Sequence, residues 1–213
     1  MNESPPASPD PRLQAGATRL ALRYDGVFAP ETVQHLLADS YRLLAEGATV
    51  RTHLIVLAEH LADQRLDALA HTEGRTASAV PRVLFVCSGN AGRSQLAAAI
   101  LTHLAHGRVH VASAGTDPAD DLDLHIAEVL EEVGVSLPRE VFPKPLTEEV
   151  VAAADVVVTM GCGDACPLPA GRRYLDWHIP DPDGAPIERV RAIRDQITSR
   201  VEALLAELIA QPK

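Results

Sequence analysis

Apolar positions along this chain follow two different rhythms, and the change falls near residue 80. From Ala17 to Gly74 they recur every three or four residues, the spacing that lines up one face of an α-helix. Three helices follow from it. A short one is predicted over 18–28. Pro30 opens a second, in which Val33, Leu36, Leu37, Tyr41 and Leu44 share a stripe and Gly47 is the stop. A third carries Leu54, Leu57, Leu61, Leu66 and Leu69. Short connections would bury these stripes against one another as a small three-helix bundle over 16–75. Residues 1–15, rich in Pro, Ser and Ala without any period, are expected to form a disordered tail, and 76–81 a small, polar linker.

Past the linker, short apolar runs alternate with helical spacing. Strands are predicted over 82–87, 109–114, 155–160 and 174–179. Helices are predicted from Ser94 to His106, from about Leu122 to Val133, after a capping Thr147, and from Pro186 onward. In the last of these Ile187, Val190, Ile193, Ile197, Val201, Leu204 and Leu208 form the inner stripe. Right-handed crossovers make such strands parallel. The expected fold class is therefore α/β, a four-stranded parallel sheet flanked by helices over 82–213, preceded by the small bundle. Ligands bind such doubly wound sheets at the carboxyl ends of the strands.

Composition narrows the function. The sequence is 46% hydrophobic but only 3% aromatic, so the core is aliphatic. A net charge of -10 argues against nucleic acid or an anionic membrane as partner. The bundle itself mixes Glu31, Asp39, Glu46, Glu59, Asp63 and Asp67 with its arginines, so DNA binding is not expected of it. Helix-spaced leucines are core first, and the bundle is read as a stabilising addition whose surface could also serve a homodimer. No apolar run is long enough to span a membrane and the N-terminus lacks a signal peptide's apolar core, which makes a cytoplasmic location the expectation. Three cysteines, Cys87, Cys162 and Cys166, are too few for a secreted disulfide framework and suit catalysis in a reducing compartment.

The chemistry concentrates in Val86-Cys87-Ser88-Gly89-Asn90-Ala91-Gly92-Arg93-Ser94. A cysteine placed where a buried strand hands over to a helix N-terminus faces unpaired amides and the positive end of the helix dipole, which favour its thiolate and a bound oxyanion alike. The loop from Ser88 to Gly92 supplies amides, Arg93 a two-pronged clamp for oxygens, and Ser94 a hydroxyl for the thiolate. Asn90 tolerates left-handed backbone and can fasten the loop through its side chain. A second cluster, Met160 to Pro167, follows the third strand on the same rim. Its Cys162 and Cys166 are close enough in sequence to meet as a disulfide in a turn. Zinc would need further ligands, and His103, His106 and His110 complete no four-ligand pattern with them. No metal is expected, and the histidines are read as a solvated helix end. Asp181, beyond the fourth strand, is placed to protonate a leaving oxygen, or else belongs to an ordinary Asp-Pro turn.

The segments Val86 to Ser94, Ser113-Ala114-Gly115-Thr116, Lys144-Pro145-Leu146-Thr147, Thr159 to Pro167 and Asp181-Pro182 together resemble the arsenate reductases built on the low-molecular-weight protein tyrosine phosphatase fold. The helical region before them resembles the three-helix extension of some actinobacterial members. The resemblance implies that Cys87 attacks arsenate held by the loop and Arg93 while Asp181 assists departure of water or hydroxide. Phosphate and sulfate would compete for the same cradle. In the thioredoxin-coupled branch a second cysteine, matching Cys162, then attacks Cys87 and releases arsenite. A third, matching Cys166, resolves that disulfide and leaves an exposed Cys162–Cys166 pair for thioredoxin. Members that use mycothiol and mycoredoxin share the first cysteine, so this route stands beside thioredoxin. Well-known thioredoxin-coupled members space their last two cysteines more widely than this chain does. Members that bind potassium carry Glu where Ala98 stands, so potassium is not expected. Phosphotyrosine hydrolysis by the same cradle is the enzymatic alternative; phosphatases of this fold usually place tyrosines after the Asp-Pro pair, where this chain has Asp183-Gly184.

Overall fold

The computed structural model describes residues 10–47, 53–76, 80–138, 140–162 and 171–210. Three helices come first: α1 (Pro11–Arg23), α2 (Pro30–Gly47) and α3 (Leu54–Thr72). Leu20, Tyr24, Val33, Leu37, Ala58 and Leu66 from all three, or just beyond, close into one buried cluster. The limits of α2 are those its proline and glycine predict. Those of α1 are not, because Asp10 starts the helix early. Its carboxylate accepts the N–H of Arg12 at 2.9 Å, and Pro11 fills a first-turn position that needs no donor. Residues 11–15 are therefore helix rather than tail, and the helix ends at Arg23 rather than at 28.

Strands β1 (Arg82–Cys87), β2 (His110–Gly115), β3 (Val156–Met160) and β4 (Arg173–Asp176) form one parallel sheet in the order β2-β1-β3-β4. From β1 the chain moves outward to β2 and then crosses back to the other side of β1. That reversal opens a crevice at the carboxyl ends of β1 and β3, where Cys87 pairs in register with Met160. Every residue of β1 is buried, as a central parallel strand requires. Val83, Phe85 and Cys87 pack toward α4 (Arg93–Ala105), α5 (Ile126–Glu131) and α7 (Ile187–Ala210). Leu84 and Val86 point to the opposite face, toward Val151 of α6 (Glu148–Ala153). The bundle rests on α6 through a buried Arg65. Its guanidinium reaches Glu149 at 2.8 Å and 3.2 Å, Asp39 at 2.8 Å and the Ser40 hydroxyl at 3.0 Å. Among the described residues no helix is long and apolar enough to cross a membrane.

Three further expectations are corrected. The helix foreseen over 122–133 shrinks to α5, since the chain before it is bonded to the loop after β1 instead of to itself. Thr147 does occupy the N-cap of α6 with extended backbone, but its side chain makes no capping bond. β4 ends at Asp176, and the next residues turn inward, putting Trp177 against Phe85 with ring centroids 5.7 Å apart.

Candidate active site

Between β1 and α4 the chain makes a loop whose carbonyls are turned outward and held there. The oxygens of Cys87, Ser88, Gly89 and Ala91 accept the N–H groups of Thr116, Asp117, Ala119 and Asp123 at 3.2, 3.0, 2.9 and 3.2 Å. None of the N–H groups from Ser88 to Gly92 donates to a backbone carbonyl among the described residues. These amides and the start of α4 surround a cavity of about 480 Å³ whose lining includes Cys87, Arg93, Asp123 and Asp181. A loop with spent carbonyls and unspent amides at a helix N-terminus is built to hold an anion.

Asn90 fastens the loop. Its φ of 48° is the left-handed conformation its residue type tolerates. Its Oδ1 accepts from the Lys144 N–H at 3.0 Å and from Gln95 Nε2 at 3.1 Å, which fixes the amide orientation and aims Nδ2 at Ser94 Oγ, 2.8 Å away. Ser94 Oγ lies 3.0 Å from Cys87 Sγ, and once Cys87 is a thiolate the hydroxyl is the donor of that bond. Cys87 is a free, buried cysteine. Arg93 is also buried; one terminal nitrogen bonds Asp181 Oδ2 at 2.5 Å, while its Nε has no hydrogen-bond partner among the described residues. That leaves a buried, charged donor beside the cavity for an oxyanion oxygen. The other prong lies against Gly161, whose φ of 76° and lack of Cβ let Arg93 approach. The Ser88 hydroxyl donates to the Gly161 carbonyl at 3.1 Å, tying the loop to the segment that leads into Cys162.

Residues 82–213 match the family model described as low molecular weight phosphotyrosine protein phosphatase. The chain belongs to that family. Residues 13–70 match a second model, the N-terminal domain of protein-tyrosine-phosphatase-like proteins. A solved thioredoxin-dependent arsenate reductase of Corynebacterium glutamicum is 44% identical, with a TM-score of 0.83 over 93% of this chain and 97% of its own. A putative arsenate reductase of Halobacterium salinarum is 37% identical over 58% of this chain and 89% of its own length. A protein-arginine-phosphatase of Geobacillus stearothermophilus is 32% identical over 60% of this chain and 95% of its own.

Within this phosphatase-family fold, Ser88, Gly89, Asn90, Ala91, Gly92, Arg93 and Ser94 converge on Cys87, and Asp181 reaches the same mouth. Cys162 is disulfide-bonded and 8% exposed, packed with Leu84, Val86 and Ala114. The resemblance implies an exposed Cys162–Cys166 pair; the Cys162 half of that expectation is corrected by its burial. Strand alternation alone would carry Cys162 to the same face as Met160, but the turn at Gly161, with its φ of 76°, breaks the pattern, and Cys162 drops into the core on the other face of the sheet. Cys166 lies outside the described residues. His103 and His106 are exposed at the end of α4 with rings 6.1 Å apart, whereas His110 lies on β2 beside Arg82 rather than at a helix end. The described residues hold no group of three or more His, Cys, Asp or Glu suited to a metal ion.

Asp123 is a site residue that motif reading misses. It lies against Gly92 and Pro182 and lines the Cys87 cavity. Burial, and then Asp183 and Asp181, push its carboxyl above the usual range, with Arg93 opposing them. The only sequence signal is the acidic run Asp120-Asp121-Leu122-Asp123 after the second strand, which reads as a solvated loop.

Proposed function

We propose that this protein is an arsenate reductase that works through Cys87 and is regenerated by a dithiol reductant, thioredoxin. The observation that carries the reading is a free Cys87 at the base of an amide-lined anion cradle, with a second, disulfide-bonded cysteine one turn beyond the neighbouring strand. An ester phosphatase of the same fold needs only the first. The likeness to a thioredoxin-dependent arsenate reductase over nearly the whole chain, bundle included, supports the same choice.

In this reading the Cys87 thiolate attacks the arsenic of arsenate, its oxygens held by the amides of Ser88 to Gly92 and by Arg93. One oxygen leaves as water, taking a proton from Asp181. A Cys87–arsenic bond results. The Cys162 thiolate then attacks the Cys87 sulfur, and the electron pair of the sulfur–arsenic bond leaves with arsenic, which departs as arsenite. Two thiols have been oxidised and arsenic reduced by two electrons. Cys166 attacks Cys162, freeing Cys87 and leaving the Cys162–Cys166 disulfide for thioredoxin. Cys162 bonded and Cys87 free is the arrangement at the end of that cycle. Mycothiol with mycoredoxin is the alternative reductant, phosphate and sulfate are competing anions, the location is cytoplasmic, and the bundle is the surface for any homodimer.

The test is steady-state arsenite formation from arsenate with thioredoxin, thioredoxin reductase and NADPH. Many turnovers per enzyme are expected, and none from Cys87→Ser. Brisk hydrolysis of an aryl phosphate with no arsenite from either the thioredoxin or the mycothiol system overturns the reading in favour of a phosphatase.

A further inference from the structure

Behind the catalytic loop, on the side of β2 away from Cys87, lies a second cavity of about 590 Å³. Neither the cradle nor the relay uses it. Its polar lining is basic or neutral: Lys144, Arg82, His103 and His110 contribute, with Gln95 and Ser113, and there is no Asp or Glu among the described residues that line it. In a chain of net charge -10 that is a local inversion of sign. Arg82 is already matched, since Asp67 Oδ2 lies 2.5 Å from its guanidinium.

Lys144 has no such match among the described residues. It is 7% exposed, and within them its ammonium reaches the Phe142 carbonyl at 3.5 Å and the Phe142 ring at 5.3 Å from the centroid, with no carboxylate paired to it. Burial pulls its pKa down to about 8. A buried cation without a counter-charge is an unusual thing for a fold to keep. The remainder of the wall is apolar, formed by Ala98, Val111, Leu137 and Val141. A buried ammonium beside an apolar wall, in a cavity whose other polar lining is basic or neutral, describes a receptor for a small amphipathic anion.

The cavity also touches the loop's fastening. Gln95, which lines it, donates to Asn90 O at 2.9 Å and to Phe142 O at 3.1 Å, and Ser113 Oγ lies 3.5 Å from Gln95 Oε1. The backbone of Lys144 holds Asn90 Oδ1, and Asn90 holds Ser94 against Cys87. We propose that this cavity binds a small organic carboxylate, its charge on Lys144 and its apolar body against Val111, Leu137 and Val141, and that occupancy alters the reactivity of Cys87 through Gln95 and Asn90. The inference stands apart from the arsenate reading, because none of its readouts uses arsenate.

The probe is benzoate, titrated into the full chain and followed by calorimetry, with the rate of Cys87 alkylation by iodoacetamide read by peptide mass. Saturable binding in the millimolar range or tighter is expected, together with a changed alkylation rate at saturation. Lys144→Met, which keeps the apolar stem, and Ala98→Phe, which fills the cavity without touching charge, should each weaken binding about tenfold or more. Affinity in the unaltered protein should fall as pH rises past about 8 and the ammonium loses its proton. Absence of saturable binding, binding unaffected by both substitutions, or benzoate displaced by phosphate from the cradle would each overturn the site. Should Lys144→Met fail to fold, Ala98→Phe decides alone. Binding that leaves alkylation unchanged overturns the coupling. Sulfate that binds in the Ala98→Phe variant but not in Lys144→Met would make the ligand an inorganic anion and overturn the carboxylate.

Discussion

Lys144 and Asp123 show how much of this molecule's electrostatics rests on single side chains. The Lys144 ammonium is held at a pKa of about 8 by burial, below the roughly 10.4 of an unfolded chain. Below about pH 8 both states carry the proton and the folded state bears the whole desolvation penalty. Between about 8 and about 10.4 the unfolded chain binds more protons, so stability rises with pH. Lys144→Met is thus expected to stabilise the protein at pH 7 without added organic anions, by up to about 3 kcal/mol, with the advantage gone near pH 10.5. Urea midpoints across that range check it; a variant no more stable at pH 7 refutes it. Asp123 acts on substrate instead. Its carboxyl faces Asp181 and Asp183 around a cradle that must admit an anion. Asp123→Asn removes one repelling charge and is expected to lower KM for arsenate about fivefold, some 1 kcal/mol, with a smaller effect on kcat. An unchanged KM would mean that Asp123 faces the cradle already protonated.

At the scale of elements, α6 joins the bundle to the catalytic half. Arg65 holds Glu149 of α6 and Asp39 of α2 with side chains one-fifth exposed, and Val151 of the same helix packs in the cluster that buries Cys162. Burial alone would raise the pKa of Glu149, but the Arg65 fork outweighs it and holds the carboxyl below its ordinary value. The pair therefore contributes stability at neutral pH that is lost in acid as Glu149 protonates. Arg65→Met strands two carboxylates and is expected to cost about 3 kcal/mol at pH 7. The loss should shrink below about pH 4, and urea denaturation at both pH values measures it. Sequence periodicity reached most of these elements because their causes are local. β1 from Val83 to Cys87 and β3 from Val156 to Val158 are apolar runs, and α2 carries its own proline start and glycine stop. Where it failed, the cause was distant or easily passed over. α5 is short because Asp123 N–H bonds Ala91 O, a partner no periodicity reveals, while the early start of α1 rests on one Asp-Pro pair inside a stretch that reads as tail. The candidate site divides in the same way. Cys87, Arg93 and Ser94 fall within one motif, whereas Asp123 and the Lys144 cavity exist only once β2 is laid beside β1.

For the molecule as a whole, the proposed relay must move sulfur around the edge of a sheet. Cys87 belongs to the core on the α4 and α7 side, and Cys162 to the core on the α6 side. The Ser88 to Gly161 hydrogen bond and the Arg93 contact with Gly161 hold the connecting turn in place. For Cys162 to reach Cys87, that turn must release both contacts and withdraw Cys162 from Leu84, Val86 and Ala114, a local opening of the kind elements at the end of a sheet allow. Thioredoxin cannot reach a Cys87–Cys162 disulfide formed at the base of the cradle, because Cys87 is 2% exposed. In the proposed relay a third thiol, Cys166, is therefore needed to take the oxidising equivalents away from Cys87. Cys166→Ser is expected to release one arsenite per enzyme and then stop with thioredoxin, the Cys87–Cys162 disulfide accumulating in the peptide map. With mycothiol and mycoredoxin in place of thioredoxin, continued turnover of the same variant would show that reductant collects the oxidising equivalents at Cys87 directly. A Cys166→Ser protein that still turns over repeatedly with thioredoxin would remove the relay from the mechanism and leave Cys87 exposed to its reductant by an opening of the cradle itself.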